Sequence, residues 1–150
     1  MLAREGRRIG RSMKTLAASI EELNDMLAAA PFIKPYGFTA KVSAPGECTV
    51  LVPFMRSFER PEGIISGVVL MAAADVAMWL AIMTLRGTAE RWVTSDMKTA
   101  FLRGAREEDI WCTARVLKPG KRSIYGTAEC LGAASGLVPH HVLTYSKVET

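Results

Sequence analysis

One carboxylate stands alone in the most apolar part of the chain. The run Val68 to Leu85, VVLMAAADVAMWLAIMTL, contains a single charged residue, Asp75, near its middle. A carboxylate in such surroundings is costly unless it is paired or hydrogen-bonded, and groups kept in that state cluster at functional sites. A water that attacks an electrophile must lose a proton, and a positioned carboxylate is one group that can take it. The competing reading of Asp75 is a structural acid bonded to a polar group across a subunit interface. Ser66 and Gly67 precede the run. If the run is a helix, the Gly67 N–H lies among the orphan donors at its N-terminus, where the dipole favours negative charge. An oxygen that gains charge in a transition state would be stabilised there, which is the logic of an oxyanion hole. The competing reading of Gly67 is a turn or a tight packing contact. Ser66 reads first as the helix N-cap, and second as a ligand contact.

Other polar residues carry weaker signals. Arg60 can meet a carboxylate or a phosphate, or can be a solvated loop residue. Thr94 and Ser95 are adjacent on a strand-like segment, so only one of them can face inward; Thr94 is the candidate. Arg103, Lys118, Lys121 and Arg122 form a basic set on loops, with ordinary solvated turn charges as the alternative. His140 and His141 are neighbours on another strand-like segment, so they point to opposite faces and do not form a metal pair. Met71, Met78, Trp79 and Met83 read as core or interface packing, with the lining of an apolar tunnel as a second use.

These residues need elements to hold them. Val68–Leu85 is rich in Ala, Met and Leu, which favour helix. It is apolar around its circumference, so the expectation is a central helix buried on nearly all sides. A membrane span is the rival, and the mid-run Asp argues against it. Arg86 and Gly87 suit the helix end. Leu16, Ile20, Leu23 and Leu27 follow helical spacing and predict an amphipathic helix over about 12–29, capped by Ser12 or Thr15 and stopped by Pro31. Phe38–Ser43 and Glu47–Val52 read as strands around Ala44-Pro45-Gly46. After the helix the period changes to two, predicting strands Trp92–Leu102, Ile110–Leu117, Ser123–Leu131 and Leu137–Val148. Their short, turn-rich links predict antiparallel pairing of successive strands. One sheet curled around one apolar helix is the α+β arrangement that buries all of this.

Composition sets the bounds. The 150 residues, 49% of them apolar, suffice for one domain with a real core. A net charge of +4 suits small anions and does not by itself point to nucleic acid. Three cysteines without a CxxC spacing predict neither a disulfide framework nor a zinc site, and suit a reducing cytoplasm. Arg4, Arg7, Arg8, Arg11 and Lys14 lack an adjoining apolar segment, so they read as a solvated basic start rather than a signal peptide, with an organellar transit peptide as the alternative.

The order of elements resembles the hotdog fold. The local sequence is similar to acyl-CoA thioesterases of the phenylacetic-acid-degradation type, from about residue 36 to 148. The pieces that carry it are ADVA (74–77), VTSDMKTAFLRGA (93–105), WCTARVLKPGKRSIYGTAE (111–129) and LTYSKV (143–148). The family's loop reads Asn-x-x-Gly-x-x-His-Gly-Gly, with an acid nine residues after the His. Here the segment is Arg60-Pro61-Glu62-Gly63-Ile64-Ile65-Ser66-Gly67-Val68, followed by Asp75. Gly63 and Gly67 match, and Asp75 holds the acid's place. Arg60 stands for Asn, Ser66 for His and Val68 for the second Gly, so the departures fall on the side chains that position substrate.

The resemblance implies an acyl-CoA thioesterase. Asp75 would be base or nucleophile, and the Gly67 N–H would polarise the thioester carbonyl. Arg60, Gly63, Ser66, Thr94, Arg103, Lys121 and Arg122 would contact substrate, the cations meeting the phosphates of coenzyme A. No cofactor or metal would be needed beyond the coenzyme A of the substrate, and neither nucleic acid nor membrane would be a partner. It also implies a homodimer or a dimer of dimers, with the Gly67 loop of one subunit facing Asp75 of another. The rivals are a non-catalytic hotdog module that binds acyl-CoA or another apolar acid, a hotdog hydratase or dehydratase, and a purely structural domain.

Overall fold

The computed structural model describes residues 15–149. The basic residues Arg4 to Lys14 lie outside the described residues. Helix α1 spans Ile20–Ala29. It is followed by strands β1 (Thr39–Ala44) and β2 (Glu47–Val52), the long helix α2 (Gly67–Arg86), and strands β3 (Trp92–Phe101), β4 (Ile110–Pro119), β5 (Ser123–Gly132) and β6 (Gly136–Lys147). The sheet is antiparallel and six-stranded, in the order β1-β2-β4-β5-β6-β3.

Helix α1 begins later than its spacing predicts. Residues 15–19 are not helical, and residues 12–14 lie outside the described part. The cap is Ser19 rather than Ser12 or Thr15: its hydroxyl accepts from Glu22 N–H, while the Glu22 carboxylate accepts from Ser19 N–H. This reciprocal pair satisfies two orphan donors at once. Upstream, Ala17 N–H donates to the Thr84 carbonyl at 2.8 Å, a tertiary contact that holds the segment off the helical path. The helix ends before Pro31, with Ala30 extended as a pre-proline residue prefers.

The β1–β2 turn follows from Pro45, whose φ is preset, and Gly46, whose φ of +77° an L side chain would resist. Strands β2, β4 and β5 place their inward residues on α2, with Cys48, Val50, Ile110, Cys112, Ile124 and Cys130 all buried. Cys112 and Cys130 are register partners, and all three cysteines are free.

Successive strands do not all pair. β3 and β4 are joined by a short link, yet β3 lies at the far edge beside β6, and β4 lies between β2 and β5. The expectation that each short link joins neighbours therefore fails for this one link. A short connection limits how far apart two strand ends lie, and it does not dictate that the strands pair. The two edges also differ. The Asn24 side chain accepts from Ala40 N–H and donates to the Ala40 carbonyl, so α1 occupies the backbone groups of β1 beside a bulge. Among the described residues β3 pairs with β6 alone.

Gly126 marks a close approach of sheet and helix. A Cβ there would run into the Arg115 carbonyl of β4 and lie 2.5 Å from Met78 Cε of α2. Glycine in a strand interior often signals such contact. Gly126→Ala is expected to lower the unfolding free energy by about 1–3 kcal/mol, the usual cost of overpacking. A urea midpoint that falls with an unchanged slope would confirm it.

Candidate active site

Helix α2 extends one residue past each end of the predicted apolar run. Ser66 caps it, its hydroxyl accepting from Val68 N–H at 3.2 Å, and Gly87 closes it with φ +77°. By length and composition the helix is one that could cross a membrane, but most of it is buried in the sheet. The expected burial on nearly all sides is not what is found. Val68 and Met71 are exposed, and Ala72, Asp75 and Trp79 are only half-buried. Positions 68, 72, 75 and 79 follow helical spacing along one stripe. The sheet covers the opposite side of the helix and leaves this stripe uncovered, so Asp75 opens onto a cleft instead of the core.

The cleft has a volume of about 410 Å3, and Phe32, Trp79, Trp92, Val93, Thr94 and Tyr145 line it with Asp75. It is mainly apolar, with polar groups gathered at Asp75, as small-molecule sites commonly are. Phe32 and Trp79 form a tilted aromatic pair with centroids 6.5 Å apart. Strand β3 brings Thr94 to the acid: its hydroxyl donates to Asp75 Oδ1. A bulge between Thr94 and Asp96 sends Ser95 elsewhere, its hydroxyl donating to the Thr144 carbonyl. Tyr145, on β6 and in register with Thr94, places its phenol oxygen 2.6 Å from Asp75 Oδ1 and 2.6 Å from the Asp75 carbonyl oxygen. Burial first, and then the Asp75 charge, push the Tyr145 phenol far above its ordinary value, so it stays a protonated donor. Tyr145 is the residue that sequence reasoning missed. Its signal was there: Leu143 and Tyr145 share the inward face of a strand, and a buried tyrosine needs a partner for its O–H.

A second cleft, of about 350 Å3, lies at the start of α2, between Arg60, Gly67, Phe101 and Arg103. The Phe101 ring lies against Gly67, where a Cβ would come within 2.7 Å of it. Among the described residues no acceptor is recorded for the Gly67 N–H. Gly63 has φ +77° and donates its N–H to the Arg60 carbonyl, forming the turn that leads the chain to Ser66. The Arg60 side chain is exposed and lies 3.4 Å from Glu62, and Arg103 donates to the Ser135 carbonyl.

The basic set is divided. Arg60 and Arg103 stand near the N-terminal end of α2. Lys121 and Arg122 stand on the β4–β5 turn, to which Arg86 at the C-terminal end of α2 is bonded through Pro119 and Gly120. Twenty helical residues, about 30 Å of rise, separate the two ends. Within one chain these four cations do not converge. Of the two histidines, His140 is half-buried and His141 fully buried, so neither is freely exposed. His141 Nδ1 lies 2.8 Å from the Thr99 hydroxyl, and its Nε2 lies 3.7 Å from Cys130 Sγ. Among the described residues no cluster of three or more His, Cys, Asp or Glu could hold a metal.

A curled antiparallel sheet around one long helix defines the hotdog class. Comparison with known proteins agrees. Residues 62–130 match the family model described as the thioesterase superfamily. A protein of Saccharolobus solfataricus named "Putative esterase" is 28% identical over 79 residues, 53% of this chain and 56% of that protein. The match thus spans about half the length of that relative. The crystal structure of zebra fish thioesterase superfamily member 2 superposes with a TM-score of 0.76 at 23% identity, covering 88% of this chain and 99% of that one. The E. coli PaaI protein, from the phenylacetic acid degradation operon, superposes with a TM-score of 0.75 at 18% identity, covering 87% and 97%. The chain has the hotdog fold, and its residues 62–130 resemble the thioesterase superfamily.

Proposed function

We propose that this protein hydrolyses an acyl-CoA thioester, with Asp75 as the base or nucleophile and the Gly67 N–H polarising the carbonyl. The observation that supports it most is the Asp75 cleft. A carboxylate that receives two hydroxyl hydrogen bonds opens onto an apolar pocket able to take an acyl group. In the base mechanism Asp75 removes a proton from water as the oxygen attacks the thioester carbon. The C–O bond forms, the C–S bond breaks, and the carboxylic acid and the thiol of coenzyme A leave, the thiolate regaining the proton. The family match and the PaaI likeness support a PaaI-like member.

The same reading requires two copies of the chain. Asp75 follows Gly67 by eight positions on one helix, about 12 Å of rise at about 1.5 Å per residue. One carbonyl cannot meet both groups of the same chain. The strand edges suggest where a second copy would add: Asn24 blocks β1, whereas among the described residues the ten-residue strand β3 has a neighbour on one side only. β3 carries Thr94, so pairing there brings the partner to the acid. In the dimer, cations that are divided in one chain can be shared across a joint site. Three free thiols suit a reducing compartment, and we place the protein in the cytoplasm.

The test is thiol release from a panel of acyl-CoAs by the purified protein. Release that depends on acyl type supports the reading. Saturable binding without release would replace it with a binding module, a reading to which the loop gives some weight, since the Ser66 hydroxyl is engaged as a cap.

A further inference from the structure

Two hydroxyls reach the same oxygen of Asp75. Thr94 and Tyr145 both donate to Oδ1, and among the described residues no hydrogen bond reaches Oδ2. The tyrosine also lies 2.6 Å from the Asp75 main-chain carbonyl, so its single proton is shared between side chain and backbone of one residue. That geometry fixes χ1 and χ2 of the acid together. Tyr145 is itself fixed: 3% exposed, near the C-terminal end of β6, paired on one side with β5 and on the other with β3.

We propose that Tyr145 is a positioning residue for the reaction. It and Thr94 occupy Oδ1, hold the carboxylate against its helix, and leave Oδ2 as the oxygen that faces the cleft and does the chemistry. A carboxylate free to rotate would present either oxygen and would spend part of its time turned from the substrate. A clamped one meets the attacking water or the thioester carbon in one geometry, the condition under which positioning lowers a barrier. Thr94 alone leaves a hinge, because a strand hydroxyl at one point does not stop rotation about the helix-side bond. The second contact, to the main-chain carbonyl, is what makes Tyr145 a brace.

For its rate readout this inference rests on the thioesterase reading. Tyr145→Phe keeps the ring and its packing and removes only the donor. With an acyl-CoA that the native protein hydrolyses, the expected result is a fall in kcat of about 10- to 100-fold, the equivalent of one hydrogen bond to a charged group. KM should stay within about twofold, since the phenol holds the acid and not the substrate. An unchanged kcat would overturn the proposal. If the Phe variant does not fold, Thr94→Val removes the other donor to the same oxygen, and kcat should fall while KM stays within about twofold; an unchanged kcat overturns the proposal. If the native protein releases no thiol from any acyl-CoA, the thioesterase reading has failed, and a crystal structure of Tyr145→Phe decides the clamp separately. An Asp75 carboxylate rotated off its native position supports it, and one held as in the native protein overturns it.

Discussion

Asp75→Asn is expected to remove thiol release almost completely while leaving the fold and ligand binding in place. The substitution is matched to the site. An asparagine Oδ1 can accept from Thr94 and Tyr145 as the carboxylate oxygen does. The change is confined to the other oxygen, Oδ2, which becomes an NH2 group and cannot take a proton. A lost general base costs about 10²–10⁴-fold in kcat. If Asp75 is instead the nucleophile the loss is at least as large, and a burst of thiol at high enzyme concentration would distinguish the two roles. The measurement is single-turnover and steady-state thiol release for both proteins, with an acyl-CoA affinity for each. An Asn variant that retains native kcat would remove Asp75 from the chemistry and with it the proposed mechanism.

The second large effect concerns stability, and it arises from His141. This side chain is fully buried between β3 and β5, with Thr99 at Nδ1 and Cys130 near Nε2. Burial, and then the neighbouring His140, lower its pKa from the ordinary 6.5 to about 4. In the native state it is therefore neutral where an unfolded histidine already binds a proton. Between pH 6.5 and about 4 the unfolded chain holds more protons, so stability falls as the pH falls through that window. The shift corresponds to a loss on the order of 3 kcal/mol, a large share of a domain's stability. Urea unfolding at pH 7.5 and again near pH 4.5 should show it. Carboxylates titrate in the same range, so the comparison needs His141→Gln. That variant should be less stable than the native chain at pH 7.5, where Thr99 loses its ring partner, and should lose less on acidification. Parallel pH profiles for the two proteins would show that His141 does not carry the effect.

Much of the architecture can be read from residue order because single features dominate it locally. Eighteen residues with one charge permit little other than a buried helix, and Ser66 before them is a cap by its type alone. Glu47–Val52 lies where the alternation places it. Asp75 is conspicuous for the same reason that the helix is. What sequence conceals is nonlocal. Leu16 fits the helical spacing of α1, but a hydrogen bond from Ala17 to Thr84, far away in sequence, outweighs it. The place of β4 between β2 and β5 follows from how the whole sheet closes, and no single turn encodes it. The uncovered stripe on α2 depends on which side the sheet wraps, which an evenly apolar helix does not reveal. Tyr145 meets Asp75 from 70 positions away, and the bulge at Ser95 decides which of two neighbouring hydroxyls faces the acid. The division of Arg103 from Lys121 and Arg122 is of the same kind. Loops that look alike in composition stand at opposite ends of one long helix.

The three inward cysteines have a practical consequence. Cys48, Cys112 and Cys130 are the only cysteines of the chain, and each is wholly inaccessible to solvent. Burial pushes the Cys48 thiol up to about 12, with Glu47 adding to the shift, and the Cys112 thiol is also raised, by its Cys130 partner first and then by burial. An aromatic disulfide reagent therefore finds no exposed sulfur on the folded protein, and Cys48 and Cys112 offer no ready thiolate. The same colour reaction that records released coenzyme A at once will record the protein's own sulfurs only as the sheet opens around the helix. A single cuvette thus holds two clocks, a fast one for turnover and a slow one for the rate at which the core breathes.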